Sequence, residues 1–175
     1  PIGGQWLFVG ARFAEVTNQE DPGAVYAYLY DSKTKQWQLQ QKIVPDDGGS
    51  RDEFGRAIDT GILSCGRLAV GSRRADRNGK VYIYGLDVRK RQWVLEDKLT
   101  ASDGENNDRF GQSVSLYLKS LAVGARDADS DGVIDIGAVY FYKKKAVRGE
   151  WIFEQKIMPP DGAEGDQFGF CVEML

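Results

Sequence analysis

Histidine is absent from all 175 residues of this chain. Its absence excludes nucleophilic triads, proton shuttles and metal sites that depend on an imidazole within these residues. Hydrolysis by paired carboxylates needs no imidazole and is not excluded. No catalytic constellation emerges from the residues that remain, so we expect a protein that is not an enzyme.

Positive charge and long apolar runs are also scarce. The chain has 23 Lys and Arg against 26 Asp and Glu, a net charge of -3, so it lacks the basic stripe that neutralises nucleic-acid phosphates. No apolar run approaches the roughly 18 residues of a membrane-spanning helix. We therefore expect no nucleic-acid partner and no direct membrane insertion.

The chain has only two cysteines, Cys65 and Cys171. Their number and wide spacing fit neither a disulfide framework nor a zinc site. We predict that Cys171 is a small core residue and that Cys65, next to a glycine in a turn, is an exposed free thiol.

Repetition is what the sequence has in abundance. An Asp-x-Phe-Gly string occurs three times at a period of about 57 residues, and a Gly-x-Val-Tyr string and a tryptophan follow the same period. The three copies lie at Asp52–Gly55, Asp108–Gly111 and Asp166–Gly169, at Gly23–Tyr26, Gly79–Tyr82 and Gly137–Tyr140, and at Trp37, Trp93 and Trp151.

Each repeat contains four short segments rich in Val, Tyr, Phe and Trp, separated by turn residues. In the third copy they are residues 110–114, 120–124, 139–142 and 151–157. Their period-two alternation predicts β-strands, and no segment has helical spacing. Four antiparallel strands per repeat are typical of a β-propeller blade. We also predict that the periodic tryptophans belong to the core between blades.

The sequence thus predicts an all-β chain of about three propeller blades, with twelve strands. The predicted units are residues 1–50, a blade without its first strand, the full blades 51–106 and 107–165, and residues 166–175, the first strand of the next blade. Small residues two places after the Phe-Gly glycine, Ala57, Ser113 and Cys171, are expected on the crowded innermost strand. Closed propellers have about four to eight blades, so the remaining blades, or copies of this chain, would complete the ring.

The combined motifs resemble the FG-GAP repeat of integrin alpha-subunit propellers over essentially the whole chain. Phe-Gly begins the first strand of a repeat, and Val-Gly-Ala or Val-Gly-Ser closes the second. Arginine stands where the family name has proline. Kelch repeats need a Gly-Gly pair that the corresponding strands of this chain lack, and WD repeats need a Trp-Asp ending, which is also missing. The matching positions are Phe54 and Gly55, Phe110 and Gly111, Phe168 and Gly169, Val9–Ala11, Val70–Ser72 and Val123–Ala125, followed by Arg12, Arg73 and Arg126.

This resemblance implies a propeller of about seven blades whose loops present a ligand surface on one face. It implies a non-enzymatic binding or adhesion module for a protein or glycan partner, located outside the cell or at its surface. Two alternatives stay open. The chain could be the propeller part of a carbohydrate-active or phosphoester-cleaving hydrolase, or a structural scaffold in a filament or large assembly.

One acidic loop has the spacing of a calcium site. Carboxylates at its positions one, three, five and nine, a backbone carbonyl at seven and glycine at six would place oxygen ligands around a Ca²⁺ ion. The spacing resembles that of integrin calcium loops, although here the loop joins the second strand to the third. A solvated acidic hairpin is the alternative. The predicted ligands are Asp127, Asp129, Asp131, Val133 and Asp135.

A second acidic loop precedes each Phe-Gly strand, at residues 47–52, 103–108 and 161–166. Its repetition predicts a turn whose aspartates accept backbone hydrogen bonds. Both kinds of loop fall on one face of the predicted propeller, which we therefore expect to be acidic and to contact the partner.

Overall fold

The computed structural model describes residues 4–16, 22–61, 66–130, 132–146 and 149–175. These residues form eleven β-strands in three antiparallel sheets, and a single 3-10 turn at Ala75–Arg77. The first sheet contains β1 (Trp6–Ala11), β2 (Ala24–Asp31) and β3 (Gln36–Ile43). The second contains β4 (Phe54–Asp59), β5 (Arg67–Ser72), β6 (Lys80–Asp87) and β7 (Gln92–Leu99). The third contains β8 (Phe110–Tyr117), β9 (Ser120–Ala125), β10 (Ala138–Lys144) and β11 (Trp151–Ile157). The predicted all-β class is confirmed.

Strand order in each sheet follows the chain, as in a propeller blade. The register pairs Phe54 with Ser72 and Ser72 with Lys80, so the turns before β4, between β5 and β6, and after β7 share one edge. The third sheet repeats this arrangement. We call this edge the loop face; it comprises residues 44–53, 73–79, 100–109, 126–130, 132–137 and 158–167.

Tryptophans fill the space between neighbouring sheets. Trp93 on β7 meets the rings of Trp6 and Phe8 on β1, with centroid distances of 5.6 and 5.0 Å. Trp151 is buried in the same way in the core between the second and third sheets. The predicted core position is therefore confirmed for Trp93 and Trp151, which are 5% and 7% exposed. It is wrong for Trp37, which is 40% exposed because no described sheet covers its face.

The glycines of the repeat meet across the interface between sheets. A Cβ atom on Gly71 of β5 would collide with the carbonyl oxygen of Gly111 on β8. Gly111 has a φ of 84°, a left-handed value that other residues adopt at a cost. Glycine recurs at both positions of the repeat because the two backbones are in contact and leave no space for a side chain. The same contact recurs between Gly10 and Gly55 and between Gly124 and Gly169.

The segment from Phe168 to Glu173 is not the twelfth strand that the sequence predicts. Phe168 makes one isolated parallel bridge with Gly137, and the residues after it form a turn and irregular chain. In the other sheets the Phe-Gly strand pairs with the second strand of its own sheet, and no such strand follows Phe168 in these 175 residues. The segment still docks on the third sheet, because Ser113 Oγ donates a hydrogen bond of 2.8 Å to the carbonyl of Gly169. The blade boundaries proposed from the sequence stay a prediction.

Small side chains on the Phe-Gly strands have three different environments. Ser113 is buried, Ala57 packs against the core while partly exposed, and Cys171 is exposed. The core prediction for Cys171 is wrong, because no further sheet lies over the terminal segment in the described residues. Cys65 lies outside the described residues.

Candidate functional site

Aspartates organise the turns of the loop face. Asp52 accepts a hydrogen bond of 2.6 Å from the backbone N–H of Gly49. Asp108 and Asp166 repeat it, each accepting a 2.8 Å bond from the N–H three residues before it. Burial raises the pKa of Asp52 and of Asp108. The predicted turn is confirmed, and these carboxylates serve the backbone.

A second aspartate of each turn reaches the following strands. Tyr82 on β6 donates its hydroxyl to Asp47 at 2.9 Å, and Lys80 and Lys98 form ion pairs with the same carboxylate. Burial alone raises the pKa of Asp47, but the hydrogen bonds from Lys80, Lys98 and Tyr82 outweigh it and hold the pKa well below its usual value.

The turn before β8 has the same contact between an aspartate, a tyrosine and a lysine. Tyr140 on β10 donates its hydroxyl to Asp103 at 2.8 Å, and Lys156 on β11 pairs with that carboxylate at 2.8 Å. A buried tyrosine needs a hydroxyl partner, and here the preceding turn supplies it. Asp47 and Asp103 therefore join consecutive repeats, and their negative charge is balanced by these lysines while both stay exposed.

The predicted calcium loop lies between β9 and β10, where the sequence places it. Asp127 forms ion pairs with Arg126 at 3.1 Å and with Arg109 at 3.4 Å. Asp129 accepts a 2.8 Å hydrogen bond from the backbone N–H of Asp135. Asp131 lies outside the described residues.

The carbonyl that should be the calcium ligand at position seven is also engaged. Val133 accepts a 3.1 Å hydrogen bond from the N–H of Ser130, and its own N–H donates to the Ser130 carbonyl at 2.8 Å. Burial, and then the charges of Asp127 and Asp129, raise the pKa of Asp135. Among the described residues, no three carboxylates or thiols come together as a metal site. The described ligands do not fit a calcium cage, and the calcium site stays a prediction of the sequence.

The described geometry predicts that calcium leaves the stability of this chain unchanged, whereas the site predicted from the sequence would stabilise it. A ligand that does not bind the folded state does not stabilise it, so the melting temperature in millimolar CaCl₂ should lie within about 1 °C of that in chelator. Differential scanning calorimetry checks this, with MgCl₂ as the control salt. A stabilisation by calcium that both Asp129→Ala and Asp131→Ala remove would establish the predicted site.

Arginines, to which the sequence assigned no role beyond replacing the proline of the repeat, surround a buried glutamate on the loop face. Glu53 is 2% exposed and forms ion pairs with Arg12 at 3.3 Å, Arg73 at 2.9 Å and Arg74 at 3.2 Å. Burial alone raises the pKa of Glu53, but Arg73 first, and then Arg74 and Arg12, outweigh it and keep that pKa below its usual value. Arginine at the proline position of the repeat is the signal that could have revealed this cluster.

The cluster of charged side chains around Glu53 extends to Arg109, which precedes the first strand of the third sheet. Burial lowers the pKa of Arg109, and the neighbouring Arg74 and Arg73 lower it further. Glu53 and Arg109 both precede a Phe-Gly pair, and both have left-handed φ values, 59° and 61°. The repeat thus places a charged side chain at this point in the second and third sheets, and the neutral Gln167, with a φ of 55°, in the terminal copy.

A pocket of about 270 Å³, here called the arginine pocket, lies beside the charged cluster around Glu53. Four of its lining residues are arginines, in a chain whose net charge is negative. The expected acidic character of the loop face is therefore wrong for this part of it. The pocket is lined by Ser50, Arg51, Arg74, Arg77, Asn107 and Arg109.

A larger open groove, of about 570 Å³, lies at the opposite edge of the first sheet. Its lining mixes Asp31 with Lys33 and Arg91, so no single charge dominates it.

A membrane-spanning helix is not found in the part of the chain that the structure describes.

Comparison with known proteins gives one family match. The FG-GAP repeat model matches residues 37–84 and 93–142, more than half of the chain. No curated protein matches the sequence significantly.

Two solved structures are similar at low identity. One is Sqt1 of Saccharomyces cerevisiae, with 12% identity and a TM-score of 0.48, covering 88% of this chain and 36% of Sqt1. The other is a Bacteroides fragilis protein of unknown function, with 13% identity and a TM-score of 0.30, covering 88% of this chain and 93% of that one. This chain therefore spans about a third of Sqt1.

Proposed function

The chain belongs to the FG-GAP repeat family, and from this membership we propose that it is a non-enzymatic binding module. Its loop face contacts a protein or glycan partner, outside the cell or at the cell surface. Fold alone does not imply function, so the proposal needs support from particular residues. The observation that carries it is the arginine pocket, a cluster of one charge sign on the loop face.

The structural roles of the loop-face aspartates also support a binding role for this face. Asp52 and Asp108 accept hydrogen bonds from backbone N–H groups of their turns. Asp47 and Asp103 accept hydrogen bonds from tyrosine hydroxyls and so connect consecutive repeats. These side chains hold the turns in place. A rigid scaffold that holds variable turns is a common basis for recognition.

A matched pair of surface variants tests the loop face. Ile134 is 54% exposed in the β9–β10 turn, and Val88 is 51% exposed in the β6–β7 turn at the opposite edge. On an array of purified glycans and extracellular proteins, we expect Ile134→Asp to reduce binding at least about fivefold, the loss of one modest interface contact. Val88→Asp should bind like the wild type.

Two results would contradict the binding proposal. One is an array with no ligand at micromolar protein, and the other is equal loss of binding in both variants. Turnover of any arrayed glycan would instead favour the hydrolase alternative.

We also propose that further blades, or copies of this chain, cover the outer sheets. Leu7, Val9, Trp37 and Leu39 lie on the uncovered face of the first sheet, each at least two-fifths exposed. Their counterparts in the second sheet, such as Leu68 and Trp93, are buried against the first. Contiguous exposed apolar surface of this kind marks an interaction site. Ordered growth without ring closure would favour the scaffold alternative.

A further inference from the structure

The arginine pocket offers hydrogen-bond donors from three turns. The turn before β4 supplies Ser50 and Arg51, the β5–β6 turn Arg74 and Arg77, and the turn before β8 Asn107 and Arg109. A guanidinium group donates hydrogen bonds and accepts none, and no carboxylate lines the pocket. The pocket therefore has the chemistry of an anion receptor.

Two of these arginines are held in place by carboxylates. Arg74 Nε lies 3.2 Å from Glu53, and Arg109 Nε lies 3.4 Å from Asp127. The Arg109 Nε is nevertheless buried without a hydrogen-bond acceptor, and burial first, then the guanidinium of Arg74, disfavour the charged form and lower the pKa of Arg109. An anion in the pocket would relieve this repulsion. Within the described residues, no ion pair involves Arg51 or Arg77.

The backbone of the pocket is fixed as well. The N–H of Asn107 donates a 2.9 Å hydrogen bond to the carbonyl of Arg77, which ties the turns of two sheets together. Arg51, Arg77 and Asn107 all have left-handed φ values, 63°, 72° and 77°. Such strain persists where the surrounding structure determines the conformation, and it clusters at ligand sites. The backbone that carries these donors is thus fixed before a ligand arrives.

We propose that this pocket binds a tetrahedral oxyanion, a sulfate or phosphate group that the partner carries as an ester. Guanidinium groups bind such oxyanions through paired N–H donors, a geometry that lysine does not offer. The volume of about 270 Å³ exceeds that of one oxyanion and leaves room for the group to which it is attached. This inference rests on the proposed binding function and names the ligand class of the loop face.

Isothermal titration calorimetry tests the pocket with four probes at constant ionic strength, with NaCl as the reference. The probes are inorganic sulfate, inorganic phosphate, glucose 6-sulfate and glucose 6-phosphate. The test variant combines Arg51→Gln and Arg77→Gln, which remove two positive charges and leave the ion pairs of Arg74 and Arg109 intact. Its control is Arg89→Gln, an exposed arginine in the turn between β6 and β7.

We expect the esters to bind the wild type more tightly than the free ions do. The double variant should bind them at least tenfold more weakly, and Arg89→Gln should match the wild type. A preference for the sulfate or the phosphate ester identifies the group that the partner carries.

Three outcomes would overturn the inference. They are no heat of binding, equal weakening in Arg89→Gln, and free ions that bind as tightly as their esters. Failure here is distinguishable from failure of the binding proposal. If the array still shows a ligand that Ile134→Asp loses while the pocket binds no oxyanion, only the ligand class is wrong.

Discussion

Replacing Gly71 by alanine is expected to destabilise the fold by about 3 kcal/mol, the upper part of the range for overpacking a close-packed interior. A Cβ atom at Gly71 meets the carbonyl oxygen of Gly111 on the neighbouring sheet. Gly71 pairs with residues of β4 and β6 on its two sides, and Gly111 lies between the paired Phe110 and Ser113 of β8, so a shift of either backbone disturbs strand pairing. Urea unfolding of the purified variant, followed by circular dichroism, measures the loss.

Gly85→Ala is the matched control, because neither glycine has a left-handed φ and both lie in strands of the second sheet. A Cβ atom at Gly85 meets the side chain of Glu96 and no backbone atom. Because Glu96 pairs with Arg67 and Lys144, moving it has a cost, and we expect a loss of about 1 kcal/mol, well below that of Gly71→Ala. If Gly71→Ala were as mild as Gly85→Ala, the two backbones would not be in contact and the explanation of the repeat glycines would be wrong.

Glu53→Gln is expected to cost about 3 kcal/mol, because it removes the carboxylate partner of three arginines at a site where the glutamate itself is buried. The amide keeps the shape of the side chain, so the change tests charge and not packing. Glu105→Gln, an exposed glutamate on the same face, should change the free energy of unfolding by less than about 0.5 kcal/mol. Similar losses in the two variants would contradict the role given to the buried glutamate.

The loss from Glu53→Gln should also depend on pH. A carboxyl group whose pKa is lowered in the folded state stabilises it fully above the unfolded pKa, here about 4.5, and this contribution disappears as pH falls through the folded value. The difference in unfolding free energy between wild type and variant should therefore shrink from about pH 5 to pH 2. Asp52 and Asp108, whose pKa values are raised, are present in both proteins, so their contributions cancel in the difference in unfolding free energy. A difference that stays constant with pH would contradict the ion-pair cluster.

Local patterns in this chain made its strands and turns predictable. Alternation in Val25, Tyr26 and Ala27 predicts β2, and the repeated aspartates predict turns that the hydrogen bonds of Asp52 and Asp108 confirm. These features depend on residues close together in sequence. Periodicity and turn chemistry report such contacts directly.

Contacts between distant residues were not predictable in the same way. Arg12 pairs with Glu53 across 41 positions, and the sequence showed only that arginine replaces the proline of the repeat. The acidic face was predicted from the aspartates of its loops, yet Asp47 and Asp103 bind tyrosines and lysines of the following strands. Composition records which charges are present but not which of them neutralise one another. The arginine pocket became visible only once three turns from two sheets were placed side by side.

Sedimentation velocity of the wild-type chain tests the central claim, that its sheets are propeller blades built to pack on further blades, most directly. With the faces around Trp37 and Ile157 uncovered, the account predicts that the 19.5 kDa chain associates into larger species, and that Trp37→Glu shifts them to monomer. A stable 19.5 kDa monomer at tens of micromolar protein, unaffected by Trp37→Glu, would contradict it.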